Sequence, residues 1–410
     1  MKRIYADNAA ITPTDARVLK EMRKYEGGEF GNPSSIHAEG VKAKKVLDMA
    51  RKGCAGFLSA HADEIVFTGS GTEANNLAIF GVVNKLIQNG MKMEDVHIVT
   101  SVIEHPSVLE CVHELQRRGA KVDFVPVLPN GIVDLKVLKE KITADTALVS
   151  VMYVNNEIGT VQPITEIAKI IRYVKKNKNK SENKNTTVSN FPLFHTDASQ
   201  AALYLEMNVE KLGMDMLTLD AHKVYGPKGI GALYIKRGIE ISPIIFGGGQ
   251  ESNRRSATPN VSAAVGFAKA LQIAAEEKEA ETARLTELRD YFLNKIVEKI
   301  PNVIINGDRT ARIANNVNIT IPNVDSEFLV LQLDAAGIAC STKSSCLHDE
   351  DESYVIRALG NNDAKNALRF TFGRTTTLKE VDYILKTLIS KISPSRAPKQ
   401  PPSSGKRLNL

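Results

Sequence analysis

Lys223 stands inside Leu219-Asp220-Ala221-His222-Lys223-Val224-Tyr225-Gly226-Pro227-Lys228-Gly229, after an apolar run that reads as a short buried strand and before a Gly-Pro pair that ends it. A lysine at a strand end has a fixed backbone and a reachable amine. Such an amine forms a Schiff base with a carbonyl when desolvation or a cationic neighbour lowers its pKa, and His222 and Lys228 are candidates for that neighbour. The structural reading of the same residue is a solvated lysine beside a histidine, so other positions must decide.

Those positions recur at strand ends. After Ile65 to Thr68 comes Gly69-Ser70-Gly71-Thr72-Glu73-Ala74-Asn75-Asn76, a glycine-rich turn opening a helix, whose free N–H groups can bind a phosphate or simply make a turn. After Val99-Thr100 comes Glu104-His105-Pro106-Ser107; Pro106 suits the first helical position and His105 its cap, where the ring can also lie over a planar group. Val154-Asn155-Asn156-Glu157-Ile158-Gly159 and Asp197-Ala198-Ser199-Gln200 follow two further strands. An aspartate at the end of a buried strand is costly unless paired, and a protonated pyridine nitrogen is one fitting partner.

The elements that must hold these residues are legible as alternation. Between about residues 60 and 235, seven apolar runs (Ile65–Thr68, Val96–Thr100, Val122–Val125, Ala147–Met152, Phe194–Asp197, Met216–Leu219, Gly231–Ile235) alternate mostly with amphipathic helical segments. That pattern predicts an α/β region with a largely parallel sheet and a ligand site at the carboxyl ends of its strands. From about 262 a long helix opens a second, smaller α+β region with strands at Asn316–Ile321 and Leu368–Phe372. The 410 residues, 43% hydrophobic and 24% charged, suit a soluble protein of two or more domains. No apolar run of about 18 residues and no secretory leader is read, so the expectation is a cytoplasmic protein without a membrane partner. Four cysteines without a CxxC pair fit a reducing compartment. Much of the net charge of +6 comes from Lys175, Lys176, Lys178, Lys180 and Lys184, so no direct nucleic-acid partner is inferred; residues 175–190 read as a low-complexity surface insertion and 393–410 as a disordered tail.

Taken together the motifs resemble the cysteine desulfurases of the NifS/IscS type, in the class V aminotransferase group of fold-type I pyridoxal-phosphate (PLP) enzymes. The resemblance runs from Tyr5-Ala6-Asp7-Asn8-Ala9-Ala10 through Gly31-Asn32-Pro33, Thr72 to Asn76, Glu104-His105, Asn155 to Gly159, Asp197 to Gln200, His222-Lys223 and Arg255-Ser256-Ala257-Thr258 to Ser353 to Gly360. It implies a fold-type I transferase: a large PLP-binding α/β domain over 13–260, with a mostly parallel mixed sheet flanked by helices, and a smaller α+β domain from 1–12 and 261–392. It also implies roles. Lys223 matches the Schiff-base lysine that later moves the Cα proton, Asp197 the partner of the pyridinium nitrogen, and His105 the histidine stacked on the ring. Gln200 and Asn156 match side chains near the phenolic oxygen and substrate, and Thr72 and His222 match phosphate contacts. Thr258 matches a threonine reaching the cofactor phosphate of the other subunit, which implies a homodimer. Arg369 matches the arginine that pairs the substrate carboxylate.

The resemblance places the sulfur-accepting nucleophile at Cys346, nine positions after Gly337, in a polar segment suited to an exposed thiolate. Cys54, Cys111 and Cys340 read as passive core residues. The implied activity is removal of sulfur from L-cysteine to give L-alanine and a Cys346 persulfide, passed to an iron–sulfur scaffold or a tRNA-thiolation protein. The alternatives are a selenocysteine lyase or other class V aminotransferase, and a non-enzymatic scaffold. The chain departs from the pattern at Asp220, where Ser or Thr usually contacts the phosphate, at Thr342-Lys343-Ser344 before the nucleophile, and at Cys340.

Overall fold

The computed structural model describes residues 3–181, 191–342 and 352–392. The seven expected strands are present as β1 Ile65–Thr68, β2 His97–Ser101, β3 Lys121–Val125, β4 Thr146–Ser150, β5 Leu193–Asp197, β6 Met216–Asp220 and β7 Gly231–Ile235. They form one sheet in the order β1-β7-β6-β5-β4-β2-β3. Neighbours run parallel except at β7, which is antiparallel to both β1 and β6. Six of the seven strands, all but β3, are buried along their whole length, which is why they read as unbroken apolar runs rather than alternating ones.

Alternate side chains nevertheless separate into two cores. Ile98, Leu148, Leu193, Met216 and Leu233 pack with Leu77, Val82, Val108 and Val112 on one face of the sheet. Val99, Val149, Phe194 and Leu217 enter the larger core with Phe267 and Leu271 on the other. Each fully buried aliphatic or aromatic side chain contributes about 1.5–3 kcal/mol, so helices on both faces are what make this sheet stable. The Val261–Lys299 helix begins at Asn260, whose side chain accepts from Ala263 N, and buries a small-residue face of Ala263, Ala264, Gly266 and Ala270. That face lies close to its neighbours: a Cβ on Gly266 would come 2.6 Å from Met22.

The later part of the chain forms a three-stranded antiparallel sheet in the order Ala367–Thr371, Asn316–Thr320, Ile304–Ile305. The N-terminal Ile4–Tyr5 pairs in parallel with Ile338–Ala339, and Asp7 bridges to Thr371. These pairings carry the N-terminus to Arg369. Arg369 itself lies on Ala367–Thr371, paired with Asn318.

One expectation is corrected. Residues 175–181, read as the start of a low-complexity insertion, continue the Ile164–Ser181 helix. Lysine is a good helix former, so the Lys-rich run is compatible with helix, and Lys175 Nζ also lies 2.8 Å from Asp215 Oδ2 in a partly buried ion pair. Residues 182–190 and the tail from 393 lie outside the described residues, as does Cys346. Among the described residues no helix is long and apolar enough to cross a membrane.

Candidate active site

The carboxyl ends of β2, β4, β5 and β6 converge with the N-terminal segment on one cavity. Its wall includes Thr72, His105, Asn156, Asp197, Gln200, His222, Lys223 and Arg369, which are eight of the ten residues proposed from sequence, together with Ala9, Ala10 and Asp220. Thr258 lies elsewhere, lining a neighbouring hollow with Arg255 and Gly69. Cys346 is outside the described residues.

Lys223 closes a short turn of helix after β6. The turn that follows is held by Gly226, whose N–H donates to Ala221 O at 2.9 Å and where a Cβ would meet that oxygen at 2.7 Å; Tyr225 before it sits at φ +61°. Thr12 braces the same turn, donating through N–H and Oγ1 to His222 O and accepting from Tyr225 N. The lysine Nζ donates to Ala9 O and Ala10 O, both at 2.7 Å. Of the two cations expected beside it, His222 is paired with Asp220 and Lys228 reaches Thr14 Oγ1.

Asp197 ends β5. Its Oδ2 accepts from Asn75 Nδ2 at 2.8 Å and its Oδ1 from Ser199 N at 2.9 Å. Asn75 also donates to Ser107 Oγ, which lies 2.8 Å from His105 Nδ1, so one buried asparagine ties the aspartate to the histidine. Its own Oδ1 is buried without a hydrogen-bond partner. His105 caps the Pro106–Arg117 helix by accepting from Ser107 N, as the sequence predicts. Burial holds this imidazole below its usual value against the opposing pull of Asp197, so it is neutral near pH 7 and able to accept a proton.

Beneath them Glu104 is fully buried, accepting from Ser101 Oγ and from Met152 N. Burial pushes its carboxyl up to about 8, offset in part by those two hydrogen bonds. Arg369 is 1% exposed. Its guanidinium donates to Asp7 Oδ1 at 2.8 Å and to Asn156 O at 3.1 Å, while Nε is buried with no partner. Gln200 Nε2 donates to Ala9 O.

Asn75, Ser107, Glu104 and Asp7 are the contributors that residue-by-residue reading of the sequence did not assign. Each stands within a quoted motif, yet their partners lie as far as 122 residues away for Asn75 and 362 for Asp7. Cys54 and Cys111 are buried, as expected of passive core residues, whereas Cys340 is only partly buried against the core. Desolvation still pushes the Cys340 thiol up to about 12, so it is protonated near neutrality.

A family model described as aminotransferase class-V matches residues 4–384. The chain belongs to the class-V aminotransferase family. Cysteine desulfurase IscS of Dictyoglomus turgidum is 41% identical over 392 residues, covering 95% of this chain and 94% of that protein. Among solved structures, a NifS-like protein superposes with a TM-score of 0.85 at 35% identity, covering 95% of this chain and 99% of its own. SspA in complex with cysteine superposes at 0.75 with 31% identity, covering 90% and 98%. The fold is that of the fold-type I PLP enzymes.

Class-V aminotransferases work with PLP, and so does this chain. The residues present fit that group. An amine, a buried strand-end carboxylate and a neutral imidazole line one cavity, and the unpaired Nε of Arg369 offers a donor there that no protein atom takes. At the helix start Gly71–Gln88, which suits a phosphate, Thr72 lines the wall.

Proposed function

We propose that this cavity removes sulfur from L-cysteine and that the residues of its wall divide the work as follows. The enzyme is a cysteine desulfurase, as are the relatives that match it along nearly its whole length. Lys223 Nζ would hold the cofactor covalently and, when free, would move the substrate Cα proton. Asp197, oriented by Asn75 and Ser199, accepts a hydrogen bond from the ring nitrogen and keeps it protonated. Bound PLP supplies an electron sink beside the substrate Cα. His105, neutral by burial and on the cavity wall, would pack against the cofactor ring and carry a proton to or from the substrate. Arg369, on the cavity wall with its guanidinium oriented by Asp7 Oδ1 and Asn156 O, would hold the substrate carboxylate. Gln200 and Asn156 border the ring oxygen and the substrate, and Thr72 and His222 the phosphate.

Cys346 accepts the sulfur: its thiolate attacks the substrate sulfur, an S–S bond forms, and the Cβ–S bond breaks with its electron pair left on the carbon side, where Cβ takes up a proton equivalent to the one the Cys346 thiol released. The balance is one Cys346 thiol and one L-cysteine in, one Cys346 persulfide and one L-alanine out. The thiols of Cys54, Cys111 and the partly buried Cys340, each disfavoured as a thiolate near neutrality by desolvation, support this choice. Thr258, set apart from the cavity beside Arg255, fits a role toward the cofactor of a partner subunit and hence a homodimer. The persulfide is destined for an iron–sulfur scaffold or tRNA-thiolation protein in the cytoplasm. The division into a large domain over 13–260 and a small one from 1–12 and 261–392 belongs to the same proposal.

The observation that carries the reading is the meeting of Lys223, Asp197, His105 and Arg369 on one cavity. Borohydride reduction of the PLP-loaded protein followed by peptide mapping tests it. Label on Lys223 is expected; label on another lysine contradicts it.

A further inference from the structure

Asp220 is the last residue of β6, 5% exposed, on the wall of the same cavity as Lys223. Its Oδ2 accepts from Gly71 N at 2.7 Å. Gly71 is the first residue of an 18-residue helix, so this amide is one of the free donors at the positive end of the helix dipole. The other carboxylate oxygen lies 2.5 Å from His222 Nδ1 and also accepts from His222 N at 3.2 Å. Burial alone would raise this carboxyl, but its hydrogen bond and ion pair with His222 and the bond from Gly71 hold it below the usual range, so it is ionised.

The surroundings are fitted to this contact. A Cβ on Gly71 would stand 3.0 Å from Asp220 Oδ2, and a Cβ on Gly231, the β7 residue paired with Asp220, would strike Ser70 C at 2.6 Å. Two glycines thus let the strand end and the helix start approach closely enough for the carboxylate to seat. A helix start binds an anion through its free N–H groups, and here an anion of the chain itself has one of them. The Nδ1 position of the adjacent histidine is committed to the same carboxylate.

We propose that Asp220 is an internal carboxylate occupant of the cofactor's phosphate station, weakening phosphate binding by claiming the Gly71 amide and His222 Nδ1 and by adding a like charge. This rests on the reading that PLP binds in this cavity with its phosphate at the Gly71–Gln88 helix start. It makes Asp220 a determinant of how firmly the enzyme holds its cofactor, separate from the residues that carry out the reaction.

The test is equilibrium binding to the cofactor-free protein, followed by absorbance, of PLP and of pyridoxal, which lacks the phosphate. The proteins are the natural chain, Asp220→Ser and Asp220→Asn; the asparagine retains an oxygen acceptor for Gly71 N, which guards against loss of the fold. Asp220→Ser, which removes both the charge and the claim on the two donors, is expected to bind PLP about tenfold more tightly, the scale set by one charge-assisted hydrogen bond, and Asp220→Asn, which removes the charge but keeps an acceptor for Gly71 N, to tighten it by a smaller factor, with pyridoxal affinity unchanged in both. PLP affinity unchanged or weakened in both variants would overturn the proposal, since the carboxylate would then be assisting through His222. Equal tightening of PLP and pyridoxal would also overturn it, because the effect would lie at the ring. If the natural chain captures PLP on a lysine other than Lys223, the reading of the cavity fails instead, and borohydride trapping in the same samples separates that failure from this one.

Discussion

Two stations in the cavity suit an anion, and the chain supplies its own carboxylate to each in a different way. At Arg369, Asp7 takes one Nη while Nε stays unpaired, so the guanidinium is oriented without being used up. At the Gly71–Gln88 helix start, Asp220 takes both the helix amide and the histidine nitrogen that a phosphate would use. The first carboxylate leaves one donor of its cation unpaired, and the second takes both donors of its station. Where a buried carboxylate sits relative to the ligand decides whether it positions or competes.

The largest effect expected from that contrast is at Arg369. Arg369→Ala leaves Asp7 partly buried beside an empty site and removes the substrate's counter-charge, so turnover with cysteine should vanish and stability should fall by about 3–5 kcal/mol. Urea unfolding and alanine release measure the two. Asp7→Asn keeps the shape and removes the charge paired with the guanidinium. Its effect should be intermediate, a KM for cysteine raised about tenfold with PLP affinity unchanged, the opposite station from that touched by Asp220. An unchanged KM would erase the distinction between the two carboxylates.

A smaller effect belongs to Glu104, the fully buried neighbour of His105 in the chain. Its carboxyl is pushed from 4.5 up to about 8 in the folded protein, so between those values the folded state keeps a proton that the unfolded state has released. Stability should therefore fall as pH rises through that window and level off above it. Glu104→Gln should flatten the profile, read as urea midpoints between pH 5 and 8.5; an equally steep profile in the variant would assign the slope to other groups. The smallest effect is expected from removing residues 182–190, which should leave PLP content and turnover within about twofold, whereas a deletion begun at 175 also removes the Lys175–Asp215 contact and should lower the melting temperature.

Strand ends were the legible part of this chain. Lys223, Asp197 and His105 follow buried apolar runs whose period and length are local properties, and Pro106 announces the cap of His105 before any packing is known. The partners of those residues are not local. Asn75 reaches Asp197 across 122 residues and Gly71 reaches Asp220 across 149, distances over which no periodicity carries information. At Asp220 the sequence showed an odd residue at a phosphate position; only the fold shows which donors it takes. The Lys/Asn run at 175–181 read as an insertion by its low complexity, yet it continues the helix, which its lysines favour and which Lys175 ties to Asp215.

The central claim is that this cavity takes sulfur from cysteine onto Cys346. Mass mapping of the PLP-loaded protein after exposure to L-cysteine, with alkylation of thiols and persulfides, tests it most directly. The account predicts one added sulfur atom on Cys346, absent from Cys346→Ser and from Lys223→Ala, with alanine released in equal amount. Added sulfur on Cys340, or alanine release without sulfur on any cysteine, would contradict it.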